Sequence, residues 1–354
     1  MHIAQINGVK IRAVYGCLPQ IKIDNRESLK ALYGDTADNI IKATGIETRY
    51  IVSPGTSSLD LCVKAAEALF SDNDYDRSQI AAVICVSFTP HTWMPNNSSG
   101  AQSRLGLANN IAALDLNLAC SGYPYGLFVA AGIAKSLGGD VLLLDGDVQS
   151  AYISPDDAAT VPVLSDAGTA TLIQLCGNDT WSFTFYADGA RGDVLTIPAG
   201  GSAYPPAAEH LIYKDYEGGS RRRDFDIAMD GFAVFKFVAQ DVSKMLKQYL
   251  DGQQKSAEPY AAFIPHQANM YMITQLARRV GFTAEQLWRS GDLFGNSASA
   301  TIPMTIAHQA KDKLKEPLPK PYLLAGFGAG LSIGVADIML HSDMSTGIVE
   351  YGSR

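Results

Sequence analysis

Short apolar and β-branched runs, each bounded by turn residues, recur along the chain and predict the strands of a layered fold. Stretches with helical spacing of apolar positions separate several of these runs. The predicted strands are 81–87, 111–117, 141–145, 169–175, 181–187, 261–265, 322–327 and 332–340, with a long helix at 232–250. This alternation is typical of an α/β fold. The second half of the chain shows a similar alternation of strand and helix patterns to the first, although the sequence alone does not establish an internal repeat.

Two other stretches depart from this pattern. Residues 116–134 carry no charge, yet Asn117, Pro124 and several small residues make the stretch a poor membrane span. A buried strand followed by a buried helix explains it better. Residues 191–223 are rich in glycine, proline, tyrosine and charge, and we interpret them as an irregular excursion that shapes a pocket wall.

Composition and charge narrow the functional classes. The chain has 354 residues, of which 47% are apolar, and this is enough to bury a large core. Its 28 Lys and Arg against 36 Asp and Glu give a net charge of -8, which argues against broad binding to nucleic acids or anionic membranes. The five cysteines are widely spaced without a CxxC pair, so we expect reduced thiols rather than a disulfide framework or a zinc site.

Targeting and cofactor signals are weak. Residues 1–12 contain no long apolar core and no small-residue cleavage pattern, so the sequence predicts a cytoplasmic protein. Gly326–Gly330 stops short of the dinucleotide-binding fingerprint, because Leu331 stands where its third glycine belongs. The histidines other than His266 have no second ligand at a metal-binding spacing. We therefore predict neither a cofactor nor a metal.

Cys120 is the candidate nucleophile. It lies between an apolar run and a helical pattern, at a predicted strand-to-helix turn. The free amides and positive dipole end at a helix N-terminus favour a thiolate over a thiol. Most isolated cysteines are small buried hydrophobic residues, so position alone leaves both interpretations open.

Two later polar residues complete a chemical set with this cysteine. His266 directly follows a predicted buried strand, and Asn296 follows a glycine and precedes small residues. Each has a structural alternative, since a histidine can be satisfied at a strand end and an asparagine can cap a helix or form a turn. Together, Cys120, His266 and Asn296 supply a thiolate and two neutral donors for an oxygen that becomes negative.

Three segments carry a family resemblance. Asp115–Tyr123 reads DLNLACSGY, Pro265–Asn269 reads PHQAN, and Gly295–Pro303 reads GNSASATIP. Their order, with the closing glycine-rich segment, resembles the β-ketoacyl-acyl carrier protein synthase III family of the thiolase fold. The resemblance implies an α/β, five-layered αβαβα architecture of two βαβαβαββ halves, 1–177 with the nucleophile and 178–354 with the histidine and asparagine, in a homodimer.

The same resemblance implies the reaction. Cys120, His266 and Asn296 would form the catalytic triad: the cysteine takes an acyl group from a thioester, and the other two hold a malonyl thioester as it loses carbon dioxide. The backbone amides of Cys120 and Ala329 would form the oxyanion hole, with Ala329 where the family usually has glycine. The positions implied for substrate binding are Trp93, Met94, Gly231, Asn269 and Phe327.

The sequence departs from the family pattern at positions that contact the nucleotide of coenzyme A in relatives. Members that take acetyl-coenzyme A carry a Trp and an Arg where this chain has Asn39 and Ala43, and two further arginines are here Ala158 and Tyr271. Losing a stacking ring and several cations should weaken recognition of the adenosine 3′-phosphate moiety.

Positions that carry basic charge for docking acyl carrier protein are retained as Lys236, Arg278 and Arg279. On a chain of net charge -8, a basic patch suits an acidic partner such as acyl carrier protein. A solvated helix face is the alternative for any one of them. Our hypothesis is an acyl donor held by a carrier protein, or an unusual thioester, which suits specialised-metabolite pathways such as polyketide synthesis better than housekeeping fatty-acid initiation.

Three functions compete on these residues. The first is a decarboxylating Claisen condensation of acyl and malonyl thioesters. The second keeps the acyl-enzyme but transfers the acyl group to an alcohol, amine or other carbon nucleophile. The third is a non-catalytic subunit that supports a related synthase, against which the complete set of Cys120, His266 and Asn296 argues.

Overall fold

Two mixed β-sheets form the frame of the computed structural model, which describes residues 1–216, 220–314 and 320–352. The first sheet has the order β17 (Ser345–Glu350), β2 (Lys10–Leu18), β8 (Ala167–Gln174), β7 (Asp140–Asp147), β5 (Ile80–Val86), β6 (Ala112–Leu116). The second has the order β1 (Ala4–Asn7), β9 (Thr180–Ala187), β16 (Ser332–Met339), β15 (Pro321–Gly328), β14 (Ala262–Pro265). The strands predicted from the apolar runs are confirmed to within two residues at each end.

The described chain also contains small strand pairs and helices outside the two large sheets. Three small antiparallel strand pairs are β3 (Ile21–Asp24) with β4 (Thr48–Ile51), β10 (Leu195–Thr196) with β13 (Ala228–Met229), and β11 (Lys214–Asp215) with β12 (Arg221–Arg222). The helices are α1 (Asn25–Tyr33), α2 (Ala37–Thr44), α3 (Ser58–Asp72), α4 (Asn97–Arg104), α5 (Gly122–Leu137), α6 (Gly231–Phe237), α7 (Ser243–Gly252), α8 (Met270–Val280), α9 (Gly291–Phe294) and α10 (Thr301–Lys313). The predicted helix at 232–250 is α6 and α7 joined by a π-helical turn, Val238–Val242.

The elements stack in five layers, as predicted. Helices α5 and α10 lie between the two sheets and share one apolar core with both of them. Helix α3 covers the outer face of the first sheet, and α7 with α8 covers the outer face of the second. The uncharged stretch 116–134 is thus the end of β6 and a central helix, and no described helix is long and apolar enough to cross a bilayer.

The central helix α5 approaches the first sheet closely because small residues face it. A Cβ on Gly122 would lie 2.4 Å from Val86 Cγ1, and one on Gly126 would lie 2.9 Å from Leu143 Cδ1. These distances are well below ordinary carbon contact, so only glycine lets the helix pack at this depth. The close packing holds the start of α5, and with it Cys120, against the ends of the strands.

The two sheets exchange edge strands. β1 comes from the start of the chain but pairs with β9 of the second sheet, and β17 comes from its end but pairs in parallel with β2 of the first. The predicted division of the chain at residues 177 and 178 falls between β8 and β9. It stays a prediction, since each sheet includes a strand from the other side of that division.

Candidate active site

The residues singled out for chemistry meet in one cavity of about 460 Å³. Cys120 reaches it from the segment after β6, His266 from the segment after β14, and Asn296 from the loop before α10. The excursion predicted to form a pocket wall also lines it, through residues 195–197. Among the described residues that line the cavity, none carries a charged Asp, Glu, Lys or Arg side chain.

Cys120 lies directly before the first turn of α5. The chain turns there, with the Gly122 amide donating to the Ala119 carbonyl at 2.8 Å, and Cys120 is only 8% exposed. Burial raises the pKa of the Cys120 thiol to about 12; the Asp147 carboxylate acts in the same direction, and the residue's own backbone amide opposes them. The expected preference for a thiolate is therefore wrong for this structure, because desolvation outweighs the helix terminus.

His266 is neutral and held by a hydroxyl. Its Nδ1 lies 2.8 Å from Thr301 Oγ1, and that hydroxyl donates its single hydrogen to the Ala298 carbonyl at 2.9 Å. Thr301 therefore accepts from Nδ1–H, and Nε2 of the neutral ring carries the lone pair. Burial lowers the pKa of His266 to about 3, with a smaller opposing effect of the Ala298 backbone. The neutral ring is thus an acceptor at Nε2, whereas the sequence analysis expects a neutral donor.

Asn296 is oriented as a donor. Its Oδ1 accepts from the Ala298 amide at 3.0 Å and its Nδ2 donates one hydrogen to the Ala268 carbonyl at 3.5 Å, so one N–H of the side chain is left to face other partners. The backbone of Asn296 is also held from both sides: its amide donates to the Val163 carbonyl at 3.0 Å, and its carbonyl accepts from the Ser165 amide at 2.9 Å. This pairing fixes the loop before α10 to the first half of the chain.

The loop expected to supply the second oxyanion donor is packed against Cys120. A Cβ on Gly328 would lie 2.6 Å from the Cβ of Cys120 and 3.2 Å from its Sγ. The next residue, Ala329, lines the cavity, and its carbonyl accepts from Ser332 Oγ at 2.6 Å. Positive φ in this turn falls on Gly330, at 136°, rather than on Ala329. The alanine found where the family usually has glycine therefore causes no backbone strain.

The implied substrate positions divide into two groups. Gly231, Asn269 and Phe327 line the cavity, and the Phe327 ring meets the His266 ring edge to face at 5.5 Å. Trp93 and Met94 are 78% and 87% exposed and are not among the described lining residues. Their segment leaves the cavity after Phe88, because the His91 amide donates to Asn97 Oδ1 at 2.9 Å and draws the chain towards α4. A substrate-binding role for Trp93 and Met94 stays a prediction.

The three basic positions lie on two helices that also line the cavity. Lys236 is exposed on α6, and Arg278 and Arg279 are exposed in the last turn of α8. Other residues of the same helices, Val234 and Met272, face the cavity. Among the described residues none forms an ion pair with these three cations; Arg279 donates to the Ala239 carbonyl at 2.7 Å.

Three of the four positions that lack nucleotide contacts adjoin lining residues of the same cavity in the chain. Ala43 and Ala158 each precede a lining residue, Thr44 and Ala159. Asn39 is exposed on α2, and Tyr271 is exposed on α8. Ala43, Ala158 and Tyr271 are thus chain neighbours of lining residues, and all four positions carry uncharged side chains.

Sequence reasoning missed three residues that organise the site. Asp147, at the end of β7, accepts from the Phe88 amide at 2.9 Å and from Ser299 Oγ at 2.8 Å, and it ties together the segments on either side of the cavity. Thr301 sets the proton on His266, and Gln149 lines the cavity. Asp147 could have been noticed because it is an acidic residue at the end of an apolar strand pattern. The local sequence around Thr301 and Gln149 gives no comparable signal.

Two family models match the segments that bear these residues. The model of 3-oxoacyl-[acyl-carrier-protein (ACP)] synthase III matches residues 114–189, and the model of its C-terminal part matches residues 250–339. The β-ketoacyl-[acyl-carrier-protein] synthase III of Campylobacter concisus is 34% identical over 307 residues, which cover 85% of this chain and 88% of that protein. The chain belongs to the β-ketoacyl-[acyl-carrier-protein] synthase III family. It is therefore a condensing enzyme of the acyltransferase class, as predicted.

Solved structures of the synthase III fold agree with this assignment. The 3-oxoacyl-(acyl-carrier protein) synthase of Burkholderia xenovorans superimposes with a TM-score of 0.89 at 31% identity, over 98% of this chain and 99% of that one. The priming β-ketosynthase of the R1128 polyketide pathway superimposes with a TM-score of 0.81 at 24% identity, over 96% and 98% of the two chains, and shares the fold. The predicted thiolase-like architecture is confirmed.

Proposed function

We propose that Cys120 accepts an acyl group from a thioester carried by an acyl carrier protein, and that the enzyme condenses it with a malonyl-type thioester. The observation that supports this proposal is the convergence of a thiol, an imidazole acceptor and an amide donor in one cavity beside the loop of Ala329. Its apolar lining favours loss of the charged carboxylate of malonate as neutral carbon dioxide.

In the first half-reaction the thiol must lose its proton as it attacks. The Cys120 Sγ forms a bond to the acyl carbonyl carbon while its proton passes to Nε2 of His266. The carbon–sulfur bond of the donor breaks, and the departing thiolate takes that proton from Nε2 of His266, which becomes neutral again. Since burial disfavours both the free thiolate and the imidazolium, we expect proton transfer and attack to be concerted. Backbone amides at Cys120 and Ala329 would stabilise the oxyanion.

In the second half-reaction two donors meet the malonyl thioester oxygen. Asn296 donates from Nδ2, and His266 takes one proton from solvent at Nε2 and donates it as negative charge develops on that oxygen. The bond to the carboxylate breaks, carbon dioxide leaves, and the negative charge on the enolate oxygen offsets the cost of the buried imidazolium. The enolate carbon then attacks the acyl carbonyl, the bond to Cys120 Sγ breaks, and the proton passes from His266 to Sγ.

The residues that replace the family's nucleotide contacts support a carrier-bound donor. The stacking ring and cations that would hold the nucleotide of coenzyme A are replaced by Asn39, Ala43, Ala158 and Tyr271. Exposed cations without described acidic partners stand on the two helices beside the cavity, where an acidic carrier protein would dock. A homodimer and a cytoplasmic location are further parts of this proposal.

The first test is acylation of Cys120. Intact-protein mass is measured after exposure to the same acyl group on coenzyme A and on acyl carrier protein, with Cys120→Ala as the control. We expect a Cys120-dependent adduct that forms faster from the carrier-bound donor. Faster acylation from coenzyme A would refute the carrier preference, and no adduct from any donor would refute the nucleophile.

Charge reversal tests the docking surface separately. Lys236→Glu and Arg278→Glu should slow acylation from the carrier about ten-fold or more without affecting a small soluble thioester that needs no docking. Lys247→Glu, exposed on α7, is the matched control. Release of carbon dioxide from a malonyl thioester then distinguishes condensation from acyl transfer to an alcohol or amine.

A further inference from the structure

Gln149 places an oriented amide in the wall of the cavity. It follows β7 in a short 3-10 turn, is 3% exposed, and lines the same cavity as Cys120. Its Nε2 donates to the Ser165 carbonyl at 2.9 Å and to the Asn296 carbonyl at 2.7 Å. Because carbonyl oxygens only accept, both hydrogens of the amide are committed to them and the assignment of nitrogen and oxygen is unambiguous.

The oxygen of this amide is left for another partner. Gln149 Oε1 accepts no hydrogen bond from the described residues. Unlike the completely buried polar atoms that lack a partner in the described chain, it remains accessible. The neighbouring lining residues Val163 and Leu164 are hydrocarbon. A carbonyl oxygen held rigidly in an apolar wall costs free energy unless a donor reaches it. The site is therefore built to receive a hydrogen-bond donor.

We propose that Gln149 selects acyl groups that carry a neutral hydrogen-bond donor, a hydroxyl or an amide N–H, on the acyl chain. This inference rests on the proposed acylation of Cys120 and names its substrate class. A carboxylate would meet the Gln149 oxygen with like partial charge, and an ammonium would find no carboxylate among the described lining residues. A purely hydrocarbon acyl chain would leave the oxygen unpaired, and sites built for a polar partner discriminate strongly against the analogue that lacks it.

The pantetheine arm of the donor also has amide N–H groups, so the test must separate the two sources. Acyl groups are compared in pairs on one carrier protein, an unsubstituted chain against the same chain with a hydroxyl or an acylamino group at each position in turn. The arm is then constant, and only the acyl group changes. The rate of Cys120 acylation is followed by intact-protein mass for the wild type, Gln149→Met and the control Gln248→Met, which is exposed on α7.

We expect the wild type and Gln248→Met to acylate at least about ten-fold faster with one of the donor-bearing chains than with the unsubstituted chain, and this ratio of rates to fall to about one in Gln149→Met, whatever its rate with the unsubstituted chain. Equal slowing with both members of each pair would overturn the inference, because Gln149 would then only hold Asn296 or contact the pantetheine arm. No preference in the wild type would overturn it without any variant, whatever the folding of Gln149→Met. Absence of every Cys120 adduct would instead overturn the proposed acyl transfer, and this inference with it.

Discussion

Substitution of Gly328 by alanine is a direct test of how the nucleophile is held. The added Cβ would lie 2.6 Å from Cys120 Cβ, whereas carbon atoms in contact prefer about 3.5–4.0 Å. One of the two groups must move by about 1 Å, and both are buried between packed layers. Overpacking of this kind costs about 1–3 kcal/mol, and a displacement of about 1 Å at a reacting group costs on the order of 100-fold in rate.

The assay has two readouts. The first is the rate of Cys120 acylation by intact-protein mass, expected to fall on the order of 100-fold in Gly328→Ala. The second is thermal unfolding, expected to shift down by about 2–6 °C at roughly 2 °C per kcal/mol. Gly132→Ala is the matched control, because a Cβ on this residue of α5 meets no atom within 4 Å, and alanine stabilises a helix interior by about 0.5–1 kcal/mol. If Gly328→Ala matches that control in both readouts, the packing argument is refuted.

Three further outcomes follow from the hydrogen bonds and charges. Thr301→Val should slow acylation about 10- to 100-fold because His266 loses the acceptor that sets its proton, whereas Thr301→Ser retains the rate; equal losses in both would contradict this role. The pKa of His266 is about 3 in the folded protein and about 6.5 in the unfolded chain, so the free energy of unfolding falls as the pH drops from 6.5 towards 3, by about 2 kcal/mol at pH 5. In His266→Asn, the loss of unfolding free energy between pH 7 and pH 5, measured with denaturant, should be smaller by this amount. Asp337→Asn should lower the free energy of unfolding by about 2–4 kcal/mol, since one buried carboxylate oxygen accepts from Lys255 at 2.7 Å and from two tyrosine hydroxyls; an unchanged urea midpoint would contradict it.

The apolar runs predicted the central strands because these strands are buried on both faces. β5, β7, β15 and β16 are almost wholly buried, and such strands have near-continuous hydrophobic sequences. β2 escaped prediction although it is long and central. Its first residues include Lys10, which donates to the Asp343 carboxylate at 3.0 Å, and Arg12, which donates to the Asp343 backbone carbonyl at 2.6 Å. No local sequence pattern indicates that these two side chains have a hydrogen-bond partner so distant in the chain.

The candidate triad was predictable for a different reason. Cys120, His266 and Asn296 each lie in a distinctive local segment at the end of a strand or the start of a helix, and the order of the segments identifies the family. The sequence shows the residue types that acyl transfer needs. It does not show their protonation states, which depend on the surroundings of each group after folding.

The amino-acid sequence by itself determined the layered α/β fold and the family, and it pointed to Cys120 as the candidate nucleophile, since all of these follow from residue type and local order. Only the tertiary structure decided that burial keeps Cys120 a thiol, that Thr301 leaves Nε2 of His266 as an acceptor, and that the amide nitrogen of Gln149 donates to two backbone carbonyls. Desolvation and hydrogen-bond partners arise between residues far apart in the chain, so these properties exist only once the sheets and helices have packed.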